Sequence, residues 1–385
     1  MVIALILQYL QNSFPWENSE LINNTIIIKT NLAILLFIII YILFKNIWCE
    51  RFKNKKRRYR KFNNIDLIMN LSFIFSILCS LSIIYMTGFF NLFARSSNVV
   101  NIGSSALALI IENTFRAFPV ISFAIHYIYK DINNKYYSKL QIIIIIFFGI
   151  MVNFPTGLPR FQMAAVYLGC FLIIKKKFKS KIIFKYMIIF GLLFIFPLIN
   201  IFRHNTFADL VNLNISMPNP TEDFIKGDFD SYSMLARSFI YTKLYGITWG
   251  RQLFGSVLFF IPRSIWNSKA IGSGATIGES FGWTFTNVSC PYIGEAVINF
   301  GWIGIIVFAI ALAYFIIKLS CSYEKLLNID YEEVTLIRVI YPFIIGFVFF
   351  IMRGDLLSSL AFTVGFCIPA IVLYVIDSLL TKLKF

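Results

Sequence analysis

The constraint on this chain is a series of long runs with almost no charge, among them 31–44, 140–153, 182–202 and 303–318. An apolar helix needs about 20 residues to cross roughly 30 Å of hydrocarbon, and most of these runs reach that length with their flanks. Of the 385 residues, 58% are hydrophobic and only 14% charged. A soluble domain could not hide so much apolar surface, because it needs a charged exterior to stay dispersed. A transmembrane barrel would show alternating polar and apolar residues instead. The runs therefore predict an all-α, polytopic membrane protein.

The formal net charge of +16 raises the question of nucleic acid. The basic residues, however, fall in clusters between apolar runs, the densest from Arg51 to Lys61. Such clusters mark the cytoplasmic side of a membrane. Sorting the loops by this rule predicts spans at about 26–45, 65–87, 104–128, 140–154, 160–174, 186–202, 293–317, 336–352 and 357–377. Residues 1–10 form either a short first span or an interfacial helix, which gives nine or ten spans. No basic leader with a small-residue cleavage site is visible. The predicted layout is a helical region over 1–202, a large outer loop over 203–291, and a helical region over 292–385. Within the loop, 253–262 is too short to span, so it is expected to dip into the interface or re-enter. The six cysteines are scattered without a CxxC spacing and are expected to act as small apolar fillers.

Arginine is selected against on the outer face, yet Arg160, Arg203, Arg237, Arg251, Arg263 and Arg353 all sort there. Arginines at span ends also snorkel to headgroups. Their origin in separate places at one face points to a shared polyanion, because guanidinium offers phosphate two parallel donors. A lipid diphosphate suits that depth. Glu112 and Arg116 lie at i and i+4 within a span, so they are expected to pair and face the bundle interior. Among the outer carboxylates, Glu222 to Asp230 reads as a solvated acidic loop. Glu279 and Glu295 are the better candidates for a general base or sugar contact. His204, beside Arg203, could deprotonate a hydroxyl or assist a leaving phosphate, whereas His126 reads as packing or surface. Gly272, Gly274, Gly278 and Gly282 lack the strand and the GK[ST] of a phosphate loop. They read as flexible backbone able to close over a bound chain. Trp266, Trp283 and their aromatic neighbours either stack on sugar rings or form an interfacial belt.

The stretches "LFGSVLFFIPRSIWNSKAIGSG" and "PYIGEAVINFGWIGIIVFAI" together resemble bacterial O-antigen polymerases of the Wzy type, the oligosaccharide repeat unit polymerases. The resemblance rests on a PR-x-x-W-x-x-K signature at Pro262, Arg263, Trp266 and Lys269, where Ala270 replaces the family's usual proline. It continues through E-x-x-x-N-x-G-x-x-G at Glu295, Asn299, Gly301 and Gly304, and covers about 251–310. It implies a GT-C-like glycosyltransferase of the bacterial inner membrane that needs neither metal nor cofactor. Such an enzyme moves a growing glycan from undecaprenyl diphosphate to the non-reducing end of a new lipid-linked unit. Partners would be the lipid-linked oligosaccharide, membrane lipids, and a chain-length regulator and flippase, with no nucleic acid. On this reading Arg160, Arg203 and Arg263 hold diphosphate, with Arg237, Arg353 and Lys269 in support. Glu295, Glu279 or His204 handles the acceptor hydroxyl, and Trp266 and Trp283 contact sugar. The alternatives are the related O-antigen ligase and a lipid-linked oligosaccharide flippase. A transporter would place its polar groups near the midplane in repeated halves, and no internal repeat is visible.

Overall fold

The computed structural model describes residues 2–53, 59–93, 106–174, 186, 189–191, 229–328 and 333–383. Every regular element among the described residues is helical, apart from one isolated antiparallel bridge between Lys61 and Thr335. The α-helices are α1 (Val2–Leu10), α2 (Asn24–Lys53), α3 (Ile65–Thr87), α4 (Ala106–Asn133), α5 (Lys139–Val152) and α6 (Arg160–Ile174). They continue with α7 (Ser231–Tyr245), α8 (Arg251–Val257), α9 (Ser273–Ser280), α10 (Tyr292–Asn328), α11 (Leu336–Arg353) and α12 (Leu356–Leu383).

Among the described residues, six helical segments are long and apolar enough to cross a membrane: Asn24–Lys53, Ile65–Thr87, Lys139–Gly157, Tyr292–Leu327, Leu336–Arg353 and Leu356–Leu383. This defines a multi-pass helical membrane protein. The count among described residues is lower than the nine or ten spans expected, for identifiable reasons. Helix α1 has nine residues, which at about 1.5 Å per residue cannot span. Helix α6 forms where expected but is only 15 residues long. Helix α4 forms where expected but is not among the six. The expected span at 186–202 falls mainly outside the described residues.

The chain divides into two compact units. The first comprises Met1–Lys55, Pro218–Cys321 and Val348–Ala361. Its centre is α7, in which every residue from Ser231 to Tyr241 is buried. A helix buried all round has no amphipathic face to show, and the rest of the unit packs about it. Phe37 and Ala33 of α2, Leu235, Ala236 and Phe239 of α7, and Ala296, Val297 and Phe308 of α10 form its main core. A smaller cluster joins Met234 and Tyr241 to Ile277, Trp283, Val288 and Ile298. Gly246, at φ 84°, ends α7 in the left-handed region where a side chain would be strained.

The second unit comprises Lys56–Met217, Ser322–Phe347 and Phe362–Phe385. Helices α3, α4 and α5 pack on one another within it. Ser72, Ser76 and Ser80 recur at four-residue spacing on α3 and are fully buried, and small residues of this kind let apolar helices approach closely. Ser122 Oγ on α4 donates to Ser72 Oγ at 3.1 Å. A Cβ on Gly346 would lie 2.7 Å from the backbone of Ala165, which makes glycine obligatory at that crossing. His126 is buried, with Nδ1 2.9 Å from the Ser122 carbonyl, so it is a packing residue.

Candidate functional site

The two motif stretches meet within the first unit, and the residues that unite them explain their spacing. Trp249 and Gly250 both take left-handed backbone (φ 49° and 87°) and turn the chain into α8. The amide of Leu253 then donates to Asn299 Oδ1 at 3.0 Å, while Asn299 Nδ2 donates to the Glu295 carbonyl at 2.9 Å. Asn299 is fully buried, so one side chain satisfies the first turn of α8 and its own helix together. Two residues later Gly301 breaks α10 with φ 61° and ψ −140°, a conformation that is essentially reserved for glycine. At Gly304 a Cβ would sit 2.1 Å from the carbonyl oxygen of Ala296. The N-x-G-x-x-G pattern thus encodes a cap, a kink and a close approach.

Glu295 lies on the short arm before that kink and is fully buried. Its Oε2 accepts from the Ser273 hydroxyl at 2.6 Å and its Oε1 from the Leu356 amide at 3.1 Å. The neighbouring carboxylate belongs to Asp355, which precedes α12. Asp355 Oδ1 accepts from the Leu357 amide at 3.0 Å and Oδ2 from the Gly274 amide at 3.0 Å. A Cβ on Gly272 would stand 2.6 Å from Asp355 Oδ2, so this glycine admits the carboxylate to the backbone. Burial pushes the Asp355 carboxyl above its usual range, and backbone N–H donors pull it partly back. Arg353, on the other side of the same turn, donates from Nη2 to Asp230 Oδ1 at 3.1 Å. Asp230 also accepts from Ser289 Oγ at 2.7 Å and Trp16 Nε1 at 2.9 Å. The expectation of a solvated acidic loop therefore fails for Asp230, which is 1% exposed and collects three donors.

The PR-x-x-W-x-x-K stretch folds back on itself. Lys269 is buried, and its ammonium donates to the carbonyls of Phe259 at 2.7 Å and Ile261 at 3.0 Å. Burial first, and the nearby Arg263 second, lower its pKa. Lys269 therefore closes the loop from inside rather than offering its charge to a ligand. Arg263 is exposed, with Nη1 and Nη2 each 3.4 Å from the carbonyls of Lys269 and Ala270. Those contacts are long, which leaves the guanidinium able to engage an anion. Trp266 is half-buried and donates from Nε1 to Ser268 Oγ at 3.2 Å.

Arg237 and Trp283 form an interior pair. The guanidinium lies 5.1 Å from the indole centroid and donates from Nη2 to the carbonyls of Trp16 at 3.1 Å and Glu17 at 2.6 Å. Its Nε and Nη1 are buried without a hydrogen-bond partner among the described residues. Burial lowers its pKa to about 10, so it stays cationic at neutral pH. Trp283 Nε1 in turn donates to Asn18 Oδ1 at 2.8 Å. Trp16 and Asn18 both adopt positive φ (73° and 56°), and the segment around them straps α7 to the chain near Trp283. Trp283 is only 6% exposed, so its expected sugar contact gives way to holding this strap.

The structure therefore brings Glu295, Arg353, Arg237, Trp283, Arg263, Trp266 and Lys269 into one unit. Glu279, at the end of α9, is exposed. Arg160 opens α6 in the other unit. Arg203 and His204 lie outside the described residues. Among the described residues no cluster of three His, Cys, Asp or Glu side chains could hold a metal ion. Sequence reasoning gave no role to Asp230, Asp355 or Ser273. An aspartate directly before each helical stretch is a helix-start signal and would have marked the first two.

Fold and site together define a multi-pass membrane protein with a carboxylate- and arginine-rich site tied to the break in α10. No family model, curated protein or solved structure matches the chain.

Proposed function

We propose that the chain is a membrane glycosyltransferase that polymerises undecaprenyl-diphosphate-linked O-antigen repeat units, passing the growing glycan to the non-reducing end of a new lipid-linked unit. One observation carries this reading. The two separated stretches that resemble the repeat unit polymerases are joined by hydrogen bonds from Leu253 to Asn299 and from Ser273 to Glu295. In this reading the acceptor hydroxyl attacks the anomeric carbon, the glycosidic bond forms, and the anomeric carbon–oxygen bond to diphosphate breaks. The hydroxyl proton passes to a carboxylate, and arginine stabilises the charge that develops on the leaving diphosphate. Arg263 is the diphosphate ligand, supported by its exposure. Glu295 is buried, so its part is to position the Ser273 side chain and the Leu356 backbone. The GT-C-like architecture and an outward-facing site at the bacterial inner membrane belong to the same proposal.

The test is complementation of a polymerase-deficient host that makes the matching repeat unit. Arg263→Ala should leave folded protein in the membrane and abolish long-chain polysaccharide on a gel ladder. A normal ladder would reject the assignment. A flippase would instead trap repeat units inside when mutated, whereas a polymerase variant still delivers single capped units to the surface.

A further inference from the structure

The second unit contains a cavity of about 110 Å3 that the glycosyl-transfer reading does not use. Glu112, Asn113 and Arg116 of α4, Gln162 of α6, and Pro159 and Phe362 contribute to its lining. Its hydrogen bonds can be assigned one after another. The Phe362 carbonyl can only accept, and it lies 3.0 Å from Asn113 Nδ2, which fixes the orientation of the Asn113 amide. Asn113 Oδ1 must then accept from Gln162 Nε2 at 2.8 Å, which turns the Gln162 carbonyl oxygen the other way. Arg116 donates from Nε to Glu112 Oε1 at 2.9 Å and from Nη1 to the Val152 carbonyl.

Three groups are left without a protein partner among the described residues: Glu112 Oε2, Gln162 Oε1 and Arg116 Nη2. Gln162 and Arg116 are 2% and 7% exposed as residues, and none of the three atoms is sealed inside packed protein, so a molecule in the cavity can reach them. Two of the open groups accept and one donates, so the missing ligand must both donate and accept. The ion pair leaves the cavity with no net charge, which disfavours a phosphate or other anion. Phe362, held edge-to-face by Phe161 with centroids 4.9 Å apart, and Pro159 supply apolar surface beside these polar groups. The volume is well below the roughly 300–1,000 Å3 of a drug-sized pocket, so it suits one ring and not a chain.

We propose that this cavity is a subsite for a single neutral sugar ring: adjacent hydroxyls bridge Glu112, Gln162 and Arg116, and the ring's C–H face lies on Phe362. The argument rests on the cavity alone and not on polymerase activity. The probes are methyl glycosides of glucose, galactose, N-acetylglucosamine and fucose, tested by saturation-transfer NMR. The full chain is held in lipid nanodiscs, free of sugar-headed detergent. At least one glycoside should receive saturation from the wild-type protein, and inorganic phosphate should show no 31P line broadening. Gln162→Met keeps side-chain length and removes the acceptor together with the Nε2 donor to Asn113, and should weaken binding at least about fivefold, the worth of one neutral hydrogen bond. Phe362→Leu should weaken it similarly without touching the polar network. Glu112→Gln turns an open acceptor into a donor and unmasks Arg116, so glycoside binding should fall and phosphate broadening appear. Size-exclusion and thermal unfolding report whether each variant is folded. If Gln162→Met does not fold, the wild type and Phe362→Leu decide the matter. Absence of transfer from every glycoside, phosphate binding by the wild type, or unchanged transfer in the folded variants would overturn the proposal. A failed polysaccharide ladder leaves this binding result untouched, so the two proposals fail separately.

Discussion

Replacing Ser273 with Ala tests whether the glycine-rich segment is fastened to the kinked helix through Glu295. The change removes one oxygen and adds no bulk. Ser273 and Glu295 are 1% and 0% exposed, so water cannot take the place of the lost donor. A buried hydrogen bond to a charged or strongly polar acceptor contributes about 1.5–3 kcal/mol, and an orphaned acceptor costs about 1–3 kcal/mol. These figures describe the same loss and are not summed, so the expected destabilisation is about 2–3 kcal/mol. Glu295 keeps its bond from the Leu356 amide at 3.1 Å, which limits the damage to one oxygen. The assay is reversible unfolding of the purified protein in mixed micelles, combined with Glu295→Gln in a double-mutant cycle. Groups in direct contact should couple by about 1 kcal/mol or more. A Ser273→Ala change below about 0.5 kcal/mol, or additivity within about 0.5 kcal/mol, would refute the reasoning.

Gly304→Ala would drive a Cβ to 2.1 Å from the Ala296 carbonyl oxygen, and should cost about 1–3 kcal/mol by overpacking in the same unfolding assay. Gly301→Ala, at φ 61°, should cost about 1–3 kcal/mol through backbone strain. Trp283→Leu removes the stacking partner of Arg237 and the donor to Asn18. It should cost about 2 kcal/mol for the desolvated cation–π contact and make residues 11–18 sensitive to limited proteolysis. The raised Asp355 pKa means that the folded state holds this proton to higher pH than the unfolded chain does. Its contribution to stability should therefore decline as pH rises from about 4 through the raised value, and Asp355→Asn should flatten that slope in a pH series of unfolding midpoints.

The helices were legible because hydrocarbon imposes a length and a composition on them. Ile65–Thr87 and Arg160–Ile174 fall where the apolar runs place them. The pairing of Glu112 with Arg116 was legible too, since two charges four residues apart in an apolar helix have few other options. What the sequence concealed was which polar groups face inward. Lys269 and Arg263 are six residues apart in one signature, yet one ammonium is buried on backbone carbonyls and the other cation is exposed. Asp230 looked solvated because its partners Trp16, Ser289 and Arg353 come from remote parts of the chain. Trp283 reads locally as a sugar platform or a belt residue, because nothing nearby in the sequence shows that Arg237 and Asn18 occupy it. Burial of charge depends on contacts across hundreds of residues, and periodicity carries no record of them.

The strap around Trp16 to Asn18 has a consequence for how the chain is made. Its bond from Trp283 spans 265 residues, and its carbonyls wait for Arg237 across 220 and 221. At about 5–20 residues per second of synthesis, the strap stays unfastened for roughly a quarter of a minute to a minute after it leaves the ribosome. During that interval α2 is already long enough to enter the bilayer, while its neighbour α7 does not yet exist. The strap can therefore dock on α7 and Trp283 before Arg353 and Asp355 have been made, so its closure is an intermediate stage in building the site and not the final one.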